Sequence, residues 1–236
     1  MLERLLRLIY PARCPFCGRL TGDVTRPCER CLAEIPFIRP PVCPRCGAPV
    51  KECSCRGRGA GVTGSCGVVL YRGVGKRAAQ RLKFRGDRGA IQLAANYLAA
   101  AVQRDFAGCA FSAVTFVPMH RKDRRRRGYN QSELLARALG ERLSLPVEPM
   151  LKKVRHTPHQ RELPAKERRV NLSGAFAPAK EHAPETVLLV DDIRTTGATL
   201  AECAKVLREM GAKRVYTACF ALGAGNFHKK GKRNCE

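Results

Sequence analysis

Apolar positions along the chain switch between two periods, and the switches predict an alternation of strands and helices. Short apolar runs at residues 67–71, 113–118, 186–190 and 215–222 read as strands, and 145–151 holds a further short one. Between them, residues 76–84 and the alanine- and leucine-rich 89–106 carry helical spacing. Another helix is expected to begin near Asn130, which can cap it, with Glu133 three residues on as in a capping box. Its buried stripe is Leu134, Leu135, Ala138, Leu139 and Leu143. A last helix, 199–210, turns Leu200, Cys203, Ala204 and Leu207 inward and stops at Gly211. Strands alternating with helices imply a parallel sheet covered on both faces. Two stretches lack periodicity. Residues 120–128 read as a basic loop, and 155–173 as a long, mobile one of the kind that usually serves function.

Thirteen cysteines change the picture at the N-terminus. Eight fall in close pairs: Cys14 with Cys17, Cys28 with Cys31, Cys43 with Cys46, and Cys53 with Cys55. Two thiolates separated by two residues can grip one cation, and two such pairs complete a four-thiolate zinc site. The first four form the stronger pattern. In the second set Cys53 and Cys55 stand one residue apart, which strains the usual knuckle. One or two structural zinc ions are expected; sequential pairing is the simplest assignment and crossed pairing stays open. With every position filled by protein, no site is left for water, and a structural rather than catalytic metal is expected in this module. Glycine-rich residues 56–61 follow as a linker. The expected division is a cysteine-rich module at 1–62, an α/β domain at 63–225 and a basic tail at 226–236.

Charge narrows the partners. The 44 basic and 20 acidic residues give +24, which favours nucleic acid, phosphorylated metabolites or an anionic surface. Every apolar stretch is broken by charge before the roughly 20 residues a membrane span needs. The apolar stripe Leu2, Leu5, Leu6 and Ile9 is expected to dock on the protein, and a cytoplasmic location follows. In the run Arg121-Lys122-Asp123-Arg124-Arg125-Arg126-Arg127, six cations exceed what one pyrophosphate needs. Arg124, Arg125 and Arg126, with Lys83 and Arg85 flanking Phe84, are candidates for contact with a single-stranded DNA backbone. The five histidines are scattered and read as surface or packing residues.

The segment Val187-Leu-Leu-Val-Asp191-Asp192-Ile-Arg-Thr195-Thr196-Gly197-Ala198-Thr199 concentrates the chemistry. A buried strand ends in two acids, and a turn of hydroxyls and glycine then opens a helix. Free N–H groups at a helix start receive phosphate, and ligands of open α/β sheets sit outside the carboxyl ends of the strands. Acids beside a phosphate cradle repel it unless they hold hydroxyls or a cation. A sugar phosphate satisfies both conditions.

This segment resembles the motif by which type I phosphoribosyltransferases bind phosphoribosyl pyrophosphate (PRPP). A wider pattern is similar to the competence protein F family: the cysteine pairs, Val117-Pro118, Arg127-Gly128-Tyr129-Asn130-Gln131, and then Thr157, Gln160, Arg168 and Asn171. One departure is Cys53-x-Cys55, where the family keeps two residues between its cysteines. The resemblance implies an α/β fold, a type I phosphoribosyltransferase-like parallel sheet flanked by helices, with a small N-terminal zinc-ribbon module. It implies that Asp191 and Asp192 hold the ribose hydroxyls and that Thr195, Thr196, Gly197, Ala198 and Thr199 hold the 5′-phosphate. Mg²⁺ would accompany PRPP, with pyrophosphate near Arg127 and a closing loop containing Arg155 and Gln160. It further implies a role in DNA uptake beside a helicase-like translocase. Nucleobase salvage and a non-catalytic PRPP sensor are the alternatives.

Overall fold

The computed structural model describes residues 12–22, 26–53, 55, 61–85, 88–157 and 172–223. Four parallel strands form the central sheet in the order β1, β6, β5, β2. They are β1 (Gly64–Leu70), β2 (Ala113–Phe116), β5 (Thr186–Arg194) and β6 (Arg214–Leu222), and β3 (Leu151–Lys153) pairs antiparallel with β4 (Phe176–Pro178). The helices are α1 (Glu29–Glu34), α2 (Gly73–Arg85), α3 (Arg88–Asp105), α4 (Arg121–Arg127), α5 (Gln131–Leu143) and α6 (Ala198–Glu209).

Alternation along a strand sends successive side chains to opposite faces, and both faces here are apolar. Leu188 and Val190 of β5 join a core with α2, α3 and α5, whereas Val187 and Leu189 join a second core with α6 and the β3–β4 hairpin. All four residues are fully buried, as a strand covered on both sides requires. The expected stripe on α5 is found: Leu135, Ala138 and Leu139 are buried, with Leu134 and Leu143 packed beside them. In α6, Leu200, Cys203, Ala204 and Leu207 face the second core.

The cysteine-rich segment shares the first core. Phe16, between Cys14 and Cys17, is buried with its ring 6.1 Å from that of Phe220 and 6.4 Å from that of Tyr97. Arg81 of α2 donates to the Pro15 carbonyl at 3.3 Å. Between its two cysteine clusters the chain runs beside β1, where Ile38 N donates to Val68 O and Leu70 N to Pro36 O.

Three expectations need correction. Residues 121–127 are a helix, α4, although they carry no apolar stripe. Local capping makes it: His120 Nδ1 accepts from the Lys122 amide, and Gly128 closes the last turn with φ 86°, a conformation only glycine adopts freely. Second, β5 runs to Arg194, so the two acids lie inside the strand rather than beyond it. Third, Glu133 does not complete a capping box but pairs with Arg137 at 2.9 Å and Arg124 at 3.3 Å, while Asn130 caps α5 through Ser132 N. The linker at 56–60, most of the loop at 155–173, the N-terminal leucine stripe and the tail lie outside the described residues.

Gly140 provides a test of packing against propensity. Alanine in an exposed helix interior is worth about 1 kcal/mol over glycine. A Cβ at Gly140, however, would stand 2.3 Å from Val147 Cγ2 and 3.0 Å from the Leu145 carbonyl. Gly140→Ala is therefore expected to lower unfolding free energy by about 1–3 kcal/mol, read from denaturant melts. A stabilised variant would refute this account of how α5 meets residues 145–147.

Candidate functional site

The site is assembled where β2 and β5 end side by side. Val117 N donates to Val190 O at 3.0 Å, so the segment after β2 lies against the acids of β5. Asn130 does two things at once. Its side-chain oxygen caps α5 on Ser132 N at 3.2 Å, and its Nδ2 donates to Val117 O at 3.0 Å. This clamps the start of α5 to the end of β2. Ser132 then donates its hydroxyl to Asp191 Oδ1 at 2.8 Å, and the Asp192 amide donates to the same oxygen at 2.9 Å.

The two acids differ. Asp191 is buried; its removal from water, with the Asp192 charge beside it, pushes its carboxyl up to about 8 despite the Ser132 and amide bonds. Asp192 is only half-buried and accepts from the Ile193 amide at 2.8 Å. The following turn, 195–197, leaves Thr195 and Thr196 exposed, and Gly197 opens α6 with φ 78° and no side-chain cap. Its start is held by Gly223, which donates to Arg194 O at 2.6 Å; a Cβ on Gly223 would lie 3.1 Å from Thr195 Cα. Ala198 is buried as the helix enters the core and Thr199 is half-buried. The five residues therefore present hydroxyls and helix-start amides beside a carboxylate pair.

The remaining predicted residues divide. Arg127, the last residue of α4, donates to Gln131 Oε1 at 2.9 Å and is fixed at the rim of the site. Arg155 is exposed and bonded to Ser173 O at 2.6 Å. Gln160, Arg168 and Asn171 lie outside the described residues. Arg124 and Arg126 of α4 engage Glu133 and Asp123, the latter at 3.2 Å, while Arg125 is exposed. Lys83 and Arg85 fall in the last turn of α2. Sequence reasoning missed Ser132 and Lys153. The first carries no signal apart from its place in the α5 cap. The second, inward at the end of β3, donates to Thr157 Oγ1 at 2.8 Å; burial lowers its ammonium, while Asp123 and Asp191 favour its charge.

Away from this site, the cysteines gather into two clusters, Cys14–Cys17–Cys28–Cys31 and Cys43–Cys46–Cys53–Cys55, each with its sulfurs within 4.8 Å of one another. The pairing is sequential. A tetrahedral ion with sulfur bonds of ~2.3 Å requires edges of about 3.8 Å. Cys17–Cys28 and Cys43–Cys55 lie at 3.8 Å, Cys53–Cys55 at 3.6 Å and Cys46–Cys53 at 3.5 Å. The single-residue spacing of Cys53 and Cys55 is thus no obstacle. Burial pushes the Cys14 thiol up, but the amides of Cys28, Cys17 and Phe16 outweigh it and bring it down to about 6. At Cys43 the same opposition, with the Cys46 and Arg45 amides, ends at about 7. Burial instead pushes the Cys17, Cys31 and Cys46 thiols up, a cost that a bound cation removes by holding them as thiolates; closely spaced and closed, both clusters fit structural zinc.

Comparison with known proteins agrees with these parts. Residues 5–68 match the double zinc ribbon domain family and residues 127–234 the phosphoribosyl transferase domain family. The fold and its two elements define a phosphoribosyltransferase-like protein: a parallel sheet flanked by helices, with an N-terminal zinc ribbon. Within that class the chain is similar to competence protein F and ComFC, in agreement with the family resemblance of its motifs. It is 44% identical to competence protein F of Haemophilus influenzae over 107 residues, 44% of this chain and 47% of that one. Against the DNA utilization protein YhgH of Escherichia coli (strain K12) identity is 35% over 107 residues, 45% and 47% of the two chains. Against competence protein ComFC of Bacillus subtilis it is 27% over 207 residues, 83% and 82%. The chain spans about half the length of the first two of these relatives. Among the described residues no helix is long and apolar enough to cross a membrane.

Asp191 sets a pH test. A carboxyl raised in the fold keeps a proton that the unfolded chain has lost, so stability falls as pH rises from the ordinary aspartate value, 3.8, to about 8. Asp191→Asn keeps an acceptor for Ser132 without the buried charge. The variant is expected to melt higher than wild type at pH 8, with the difference shrinking towards pH 5. Parallel melting curves across that range would refute a raised Asp191.

Proposed function

We propose that the chain binds PRPP at the end of β5 and acts in DNA uptake or use, in the cytoplasm, through contact with single-stranded DNA. The observation that supports the PRPP reading most is the adjacency of an unequal carboxylate pair and a helix start whose N-cap is a glycine, its Ala198 amide met by the Thr196 hydroxyl at a long 3.4 Å. A ribose diol donates to carboxylates, and a 5′-phosphate accepts from amides and hydroxyls; one ligand satisfies both halves. Asp192, the more accessible acid, would take the hydroxyls. Asp191, steadied by Ser132, would set the orientation of its neighbour. Thr195, Thr196, Gly197, Ala198 and Thr199 would receive the phosphate, and Arg127 with Lys153 would face the pyrophosphate. Mg²⁺ arriving with PRPP would neutralise the leaving group. Closure over the site would fall to the segment that begins at Arg155 and includes Gln160.

The DNA reading rests on the names of the relatives and on α4, which carries six cations in seven residues with one acid among them. As a helix it spreads these charges around its axis, so only part of them can meet one backbone. Arg125, exposed, is the foremost contact, with Arg124 and Arg126 released from Glu133 and Asp123 when phosphates compete for them. A helicase-like translocase is the partner this role calls for.

Calorimetry separates these claims. PRPP with Mg²⁺ is expected to bind wild type and to lose binding by more than about tenfold in Asp191→Asn with Asp192→Asn, since each lost charge-assisted bond costs roughly 1.5–3 kcal/mol. Equal affinity in the double variant would overturn the PRPP assignment. For DNA, binding to a single-stranded oligonucleotide is expected to weaken steeply with salt, at about −0.7 in the log–log slope per phosphate contacted. Replacing Arg124, Arg125 and Arg126 by alanine should flatten that slope by roughly two units. An unchanged slope would remove α4 from the interface.

A further inference from the structure

Three side chains that the PRPP reading does not use converge beside the site. His120 precedes α4, Asp123 lies in its first turn and His156 follows β3; a ligand atom from each lies within 4.8 Å of the others. His156 Nε2 is 3.5 Å from Asp123 Oδ1, and the two imidazole rings meet edge-on with centroids 5.0 Å apart. Two histidines from separate segments, turned to one carboxylate, form a donor set of two nitrogens and one oxygen. We infer that His120, Asp123 and His156 form a binding site for a divalent transition-metal ion with open coordination positions, separate from both cysteine clusters.

Donor chemistry sets the class of ion. Two imidazoles and a carboxylate favour zinc, manganese, iron, cobalt or nickel in the divalent state, whereas magnesium and calcium take oxygen. Metal–nitrogen bonds of ~2.0–2.1 Å in a tetrahedron need ligand edges of about 3.4 Å. The His156–Asp123 edge is already near that length. His156 is the ligand with room to close the rest, its side chain being 46% exposed.

His120 keeps one ring nitrogen for the α4 cap, at 3.3 Å from Lys122 N, and has the other for a metal, while the Asp123–Arg126 pair is a surface contact of the kind worth at most about 1 kcal/mol. Lys153 and Arg126 stand close by and oppose a bare cation. They favour one whose open positions carry an anion. Lys153, sensing both Asp123 and Asp191, links this corner to the end of β5.

The probe is Co²⁺, added without PRPP to tag-free protein whose cysteine clusters are filled with zinc. Wild type is expected to take up one Co²⁺ with weak d–d absorption, no thiolate charge-transfer band and no zinc release. His156→Ala should weaken that binding at least about tenfold while retaining two zinc ions and the wild-type circular dichroism, and His120→Ala should weaken it as much while also removing the α4 cap. His156→Ala carries the decision, because its side chain caps no helix. Overturning results are no Co²⁺ uptake by wild type, uptake with thiolate bands and displaced zinc, or undiminished uptake by His156→Ala. Because PRPP is absent throughout, failure here leaves the PRPP assignment standing, and failure of the PRPP calorimetry leaves this site standing.

Discussion

A hydrogen bond between Ser132 and Asp191 joins the start of α5 to the end of β5, and the local architecture of the site hangs on it. A carboxyl group buried near the end of an interior strand is costly unless its oxygens are met by donors. Here a hydroxyl and a main-chain amide meet one oxygen, and the ordinary charge of the group is suppressed by burial and by Asp192. The bond is possible only because Asn130 fixes the first turn of α5 against Val117. Site and framework are therefore one hydrogen-bonded unit. The cost in stability at neutral pH is a usual companion of a functional constellation.

From this unit the neighbouring parts take their places. Gly128 ends α4 and Asn130 starts α5 within three residues, so the cationic helix is held at the rim rather than trailing as a loose arm. Arg127 locks to Gln131 across that junction. On the far side, Gly223 holds the turn after β5 from beneath. A sheet buried on both faces makes the ends of its strands rigid, and rigid elements are the better support for a site of several parts.

The zinc ribbon belongs to the same body. Phe16 enters the core beside Phe220 and Tyr97, and residues 36–38 hydrogen-bond alongside β1. A metal that closes the first cysteine cluster therefore holds a wall of the main core as well as a surface module. In a chain with a net charge of +24, such fixed internal links oppose the repulsion that a basic surface imposes on the compact state.

Much was legible from the residues alone. The order of the four sheet strands and of helices α2, α3, α5 and α6 followed from periodicity, because burial on both faces leaves continuous apolar runs that polar segments cannot imitate. The short strand expected at 145–151 lies instead at 151–153, and its partner β4 and helix α1 are too short to show a period. The cysteine clusters followed from spacing, and the acid pair and the hydroxyl-rich turn from a local motif whose residues are contiguous. Three features needed the folded chain. Helix α4 has no apolar face, so its formation rests on a histidine cap and a left-handed glycine that periodicity does not register. Ser132 and Lys153 reach the site across 59 residues and from a separate hairpin, which no local pattern encodes. His120 and His156, far apart in the sequence and read there as surface or packing residues, become neighbours only because the fold brings the start of α4 and the segment after β3 together. Sequence determines what is chemically contiguous; tertiary structure decides which distant polar groups share a place, since that depends on packing rather than on spacing.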